Sequence, residues 1–211
     1  MKLLILGDSH VRRMCRNFTT SSYKLTIKSI AGLQWFNNYN KQLSLLHLLF
    51  SSDIQFLLSE ADRVLFLIST NSVRIFSAST IISQIEEIIF FLQYTCPQLN
   101  RRENIIIPLS FPCLKFTDKF PTKFSLLSNI ELYNQRLQQL SFQMKFTTIN
   151  FHISNHHLAI DKMHVHPHFY PHVLRVIIKH FNSLLKTSSL VVTTTDDLSI
   201  KNKPPVYDHM S

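Results

Sequence analysis

The chain opens MKLLILGDSH, residues 1–10. Leu3, Leu4, Ile5 and Leu6 run without pause into Gly7, Asp8, Ser9 and His10. A short, continuous apolar run of this kind reads as a parallel strand covered on both faces. Gly7 is one of only 2 glycines in 211 residues, where ordinary usage would supply roughly 15. A coding bias toward Ile, Phe, Asn, Lys and Ser accounts for the scarcity. It does not account for where the two survivors stand.

Four more strand candidates follow: KLTIKSI (24–30), RVLFLIS (63–69), ENIIIPLS (103–110) and KFTTINF (145–151). Helical periods lie among them. Ile81, Ile82, Ile85, Ile88, Ile89 and Leu92 form one stripe, Leu126, Leu127, Ile130, Leu137 and Leu140 a second, with gaps, and Val173, Leu174, Ile177, Ile178, Phe181 and Leu185 a third. The alternation predicts an α/β protein, a three-layer α/β/α sandwich. Its parallel sheet should have about five strands in the flavodoxin-like order 2-1-3-4-5. One domain is expected over 1–186. Residues 187–211 are polar, contain Pro204-Pro205 and read as a flexible tail.

Composition narrows the class. At 45% hydrophobic the chain can bury the core of one α/β domain. No apolar run reaches the roughly 18 residues of a membrane span, and the N-terminal run is too short for a signal-peptide core. The expectation is a soluble cytoplasmic protein. Cys15, Cys96 and Cys113 are odd in number and lack metal-binding spacing, so free buried thiols are expected. The net charge of +9 favours acidic partners. Arg12, Arg13 and Arg16 cluster after the opening turn, and Lys115, Lys119 and Lys123 are spaced through a loop. No nucleic-acid motif accompanies them, and a solvated basic face is the simpler reading.

In a parallel α/β sheet, chemistry collects at the carboxyl ends of the strands. Gly7, Asp8, Ser9 and His10 stand at such an end, where a sharp turn lifts Ser9 above the sheet. Gly32 follows the second predicted strand, and Asn71 follows the third in Ser69-Thr70-Asn71-Ser72. Asp161 precedes His164 by three residues, close enough to orient its imidazole. A nucleophile, a base and an orienting acid are all present.

Taken in order, GDSH, the Gly of SIAGLQ, the Asn of STNS, and DKMH resemble the four blocks of the SGNH hydrolases, also called GDSL-type esterases. The resemblance covers about residues 1–185. It implies hydrolysis of a small acyl ester without metal or cofactor. Ser9 would attack the carbonyl, His164 would act as general base and acid, and Asp161 would hold His164. The Ser9 and Gly32 N–H groups and the Asn71 side chain would form the oxyanion hole. Asp8 is read as a structural brace for the turn. The loop 111–124, FPCLKFTDKFPTKF, is read as a wall of the substrate pocket. Ser69 and Ser72 stand where the family's third block has Gly and Asp, and His10 stands where the commoner sequence has Leu.

Other readings stay open. Ser9 alone could be a helix cap. Eight of the 11 histidines fall between 152 and 180, a density that suggests zinc, although surface and capping roles are simpler. Asp8-Ser9-His10 also resembles the Asp-x-His opening of metallophosphoesterases, but two glycines cannot supply that family's later blocks. A third reading is a fold that has lost its activity and binds an acidic partner, RNA or protein.

Overall fold

The computed structural model describes residues 1–14, 18–19 and 22–196. Six strands form one sheet: β1 (Lys2–Gly7), β2 (Phe18–Thr19), β3 (Lys24–Ser29), β4 (Arg63–Leu67), β5 (Ile105–Pro108) and β6 (Thr147–Ile149). Their spatial order is β2-β3-β1-β4-β5-β6. The five strands read from the sequence are all parallel and lie in the expected order. The sixth, β2, is a two-residue antiparallel edge on β3, too short to leave a period in the sequence.

Helices α1 (Ser9–Met14), α2 (Leu45–Leu48), α3 (Ser52–Glu60), α4 (Ser69–Val73), α5 (Ala78–Thr95) and α6 (Lys123–Gln143) flank the sheet in an α/β/α sandwich, and α7 (Tyr170–Asp196) follows them in the chain. The central strands are buried on both faces, as their unbroken apolar runs require. Leu4, Leu6, Val64, Phe66, Ile105 and Ile107 join a core cluster with the Ile81, Ile85 and Ile88 stripe of α5 and the Leu126, Tyr133 and Leu137 stripe of α6. The alternate residues Leu3, Ile5, Leu65 and Ile106 are buried as well. Cys96 and Cys113 are buried free thiols, while Cys15 lies outside the described residues.

The chain divides into two compact units, Met1–Leu174 and Arg175–Ser211, so the division falls before the expected boundary at 186. The last helix also runs on to Asp196, making ten residues of the expected tail helical. No Gly or Pro occurs between Pro171 and Pro204, so nothing in the sequence stops the helix. Residues 197–211 lie outside the described residues. Among the described residues, no helix is long and apolar enough to cross a membrane.

Candidate active site

The two glycines are required for different reasons. A Cβ on Gly7 would lie 2.4 Å from Val11 Cγ2 and 2.5 Å from the Leu67 carbonyl oxygen. Only a hydrogen fits where β1 passes β4 and turns into α1. The Asp8 N–H seals that turn by donating to Leu67 O at 3.0 Å. Gly32 has room around it but sits at φ +81°, a backbone region costly for residues with a β-carbon. The Gly32 loop is tied back to β1, because Ile30 N–H donates to Gly7 O at 2.9 Å.

Asp8 is buried at 1% exposure and caps α1, accepting His10 N–H at 2.9 Å. Ser9, the first residue of α1, is therefore relieved of the capping role and left partly exposed. The third block sits on α4, which begins directly beyond β4. Asn129 of α6 anchors it from below, donating to the Val73 and Phe76 carbonyls and accepting Ala78 N–H. Ser69, in place of the family's Gly, is accommodated in the interior at 4% exposure. Ser72, in place of Asp, accepts Trp35 N–H at 3.2 Å and so still binds the Gly32 loop. Asn71 donates from Nδ2 to Asp8 Oδ2 at 3.2 Å and to Leu33 O at 3.3 Å. Its amide is committed to protein acceptors in the resting structure.

The fourth block is a self-contained turn. Lys162 adopts φ 57°. Asp161 Oδ1 accepts Met163 N–H at 3.0 Å and His164 N–H at 2.9 Å, while His164 Nδ1 meets Asp161 Oδ2 at 2.5 Å. The base of the loop is closed by Ala159 N–H donating to His164 O at 2.7 Å and by a bridge between Leu158 and Val165. His164 Nε2 lies 2.9 Å from Ser9 Oγ. With Nδ1 donating to a carboxylate, Nε2 is the nitrogen free to accept the Ser9 hydroxyl proton. Burial pulls the Asp161 pKa upward, but the bonds from His164 N–H, the His164 ring and Met163 N–H outweigh it. The carboxyl is held well below its usual range and stays ionised at neutral pH.

Ser9, His164 and Asp161 are thus in one hydrogen-bonded line, although 155 residues separate the first two. Gly32 and Asn71 are joined to them through Gly7, Asp8 and Leu33. All five fall within the unit Met1–Leu174. The loop after β5 reaches the same place: Leu114 N–H donates to Lys162 O at 2.7 Å, and Arg74 Nε donates to Lys115 O at 2.9 Å.

The sequence reading noted His10 but gave it no role at the site. His10 is 1% exposed, and its Nδ1 lies 2.8 Å from Asp8 Oδ1. Its ring centroid is 4.7 Å from that of His164 and 4.8 Å from that of Phe111. The available signal was an imidazole two residues after a carboxylate, in a slot where an apolar side chain was expected. Three of the other histidines after 150 hold local backbone: His157 Nδ1 accepts Ser154 N–H, His166 Nδ1 accepts His168 N–H, and His172 donates to Phe151 O. No group of three or more potential metal ligands occurs among the described residues.

At the level of sequence, no family model matches the chain and no curated protein matches it. Solved structures do. The chain is similar to a GDSL-like lipase from Bacteroides thetaiotaomicron, with TM-score 0.62 and 15% identity over 89% of this chain and 88% of that one. It is also similar to Est24, a carbohydrate acetylesterase from Sinorhizobium meliloti, with TM-score 0.66 and 12% identity over 87% and 99%. An aryl esterase from M. smegmatis matches with TM-score 0.66 and 10% identity over 87% and 99%. The fold is that of the SGNH, or GDSL-type, hydrolases.

Proposed function

We propose that the protein is a serine ester hydrolase acting on a small acyl ester. The observation that carries this reading is the line from Ser9 Oγ through His164 to Asp161, with contacts of 2.9 and 2.5 Å. Ser9 attacks the ester carbonyl while His164 Nε2 takes its proton. The imidazolium then protonates the leaving alcohol, and water completes the cycle with the roles reversed. Asp161 fixes the His164 tautomer and stabilises its charged form.

The Ser9 and Gly32 N–H groups serve as oxyanion donors. Neither has a protein acceptor among the described residues. Asn71 is the third donor, and it must release one of its two long resting contacts, the 3.3 Å bond to Leu33 O being the weaker. No metal or cofactor has a role in this chemistry.

The committed amide of Asn71 and the net charge of +9 favour a second reading, a domain without activity that binds an acidic partner such as RNA or another protein. Intact-mass labelling with a fluorophosphonate separates the two. The hydrolase reading expects one adduct on the wild type and none on Ser9→Ala. An unlabelled, folded wild type would overturn it and favour the binding domain, whose partner affinity should weaken steeply with salt.

A further inference from the structure

We propose that Asp8 and His10 form a second aspartate–histidine pair that backs the first. In this arrangement His10 is a positioning residue whose ring holds His164 in line with Ser9 and favours its protonated form. The proposal rests on the serine-hydrolase reading for its purpose, but the contact between the two rings stands independently of it.

The hydrogen bonding determines the state of the pair. Asp8 accepts from three N–H donors: His10 N at 2.9 Å, His10 Nδ1 at 2.8 Å and Asn71 Nδ2 at 3.2 Å. A carboxyl group that only accepts is a carboxylate. Donation from Nδ1 leaves the lone pair of His10 on Nε2, which is buried and has no hydrogen-bond partner. A second proton there would be a buried donor with no acceptor, a costly arrangement. The tautomer with the proton on Nδ1 meets every contact the pair makes.

The charge of Asp8 sits one ring away from the proton transfer. The His10 and His164 rings are tilted at 40° with centroids 4.7 Å apart. Phe111 meets the His10 ring at 72°, and the Asp8 bond pins Nδ1, so the ring has little freedom to swing. When His164 takes the Ser9 proton, it gains a positive charge beside the His10 imidazole with a buried carboxylate behind it. Both favour the imidazolium. Of the charged groups nearby, Asp161 acts in the same sense, while Lys162 in the same turn and Arg74, just past the end of α4, whose guanidinium meets the Met163 sulfur at 3.3 Å, act in the opposite sense. A Leu in place of His10 would fill the space and supply none of this.

The test uses the full chain with His10→Leu and His10→Asn. The Asn variant can still donate to Asp8, so it protects the fold while removing the ring. Two readouts are taken: titration of His164 by NMR of ¹⁵N-histidine-labelled protein, and the pH dependence of the fluorophosphonate labelling rate. Both variants should move the His164 titration to lower pH. The acid limb of the labelling profile should move to lower pH by the same amount, and its plateau should fall about 3- to 10-fold. An unchanged His164 titration and labelling profile in both variants would overturn the proposal and leave His10 as packing. A displaced titration in a wild type that never labels would support the coupling of the rings and sink the hydrolase reading instead.

Discussion

Two aspartate–histidine pairs meet at this site, and they are built on opposite plans. In the Asp161–His164 pair the carboxylate side chain is 43% exposed and the imidazole 13%. Both imidazole nitrogens are engaged, one of them by Ser9. In the Asp8–His10 pair both side chains are 1% exposed, and one nitrogen faces no partner. The difference teaches what burial does to an imidazole. The His164 ring, whose Asp161 partner reaches solvent, has an acceptor and a hydroxyl on its two nitrogens. The His10 ring is fully enclosed and serves its neighbour by its fixed position.

The comparison can be broken at several points. His164→Ala should reduce turnover by more than about 10⁴-fold with the unfolding midpoint unchanged. His10→Ala should act mainly on the fold, destabilising it by about 2–3 kcal/mol through the cavity and the lost Asp8 bond, with a loss of activity of only about 3- to 10-fold. Parallel activity assays and thermal melts would read both. Asp161→Asn comes next, with an expected loss of about 10³- to 10⁴-fold in kcat from the wrong tautomer at His164. Asn71→Ala should cost about 100- to 1000-fold in kcat with KM little changed. A loss confined to KM would show that Asn71 has no share in the oxyanion hole.

Smaller effects sharpen the contrast. Gly32→Ala should lower stability by about 1–2 kcal/mol, because the added carbon meets no clash but must accept the left-handed backbone. Chemical denaturation measures it. Protonation of Asp161 gives the smallest signal. Its folded pKa is depressed, so its contribution to stability is complete above the ordinary Asp value of about 4 and is lost as pH falls below that toward the folded value. Stability of Asp161→Asn should fall less steeply than that of the wild type as the solution is acidified below pH 4.

Much of this site was legible in the sequence because its parts are local and most sit at strand ends. Five short strand candidates announced five parallel strands, and the first three blocks stand just beyond β1, β3 and β4, whereas Asp161 and His164 come well after β6. The two surviving glycines marked a crossing with no room for a side chain at Gly7 and a left-handed backbone at Gly32. Other parts left weaker traces. The helices α2 and α3 bury only Leu45, Ile54 and Leu58, too few residues to mark a period. Ser72 does its work through one hydroxyl to a backbone amide 37 residues away, which no spacing rule foresees. The partnership of His10 with His164 is a contact across the whole fold. The commitment of Asn71 to Asp8 and Leu33 is likewise visible only once the chain has closed on itself.

The turn at Asp161 has a kinetic consequence. Its carboxylate holds Met163 N–H, His164 N–H and the His164 ring together, and the loop is clasped at its base by Ala159 and His164. Acid and imidazole therefore travel as one rigid piece. A fluctuation of this loop would not degrade the pair gradually. It would withdraw both groups from Ser9 together and return them together, so each molecule would alternate between competent and idle periods.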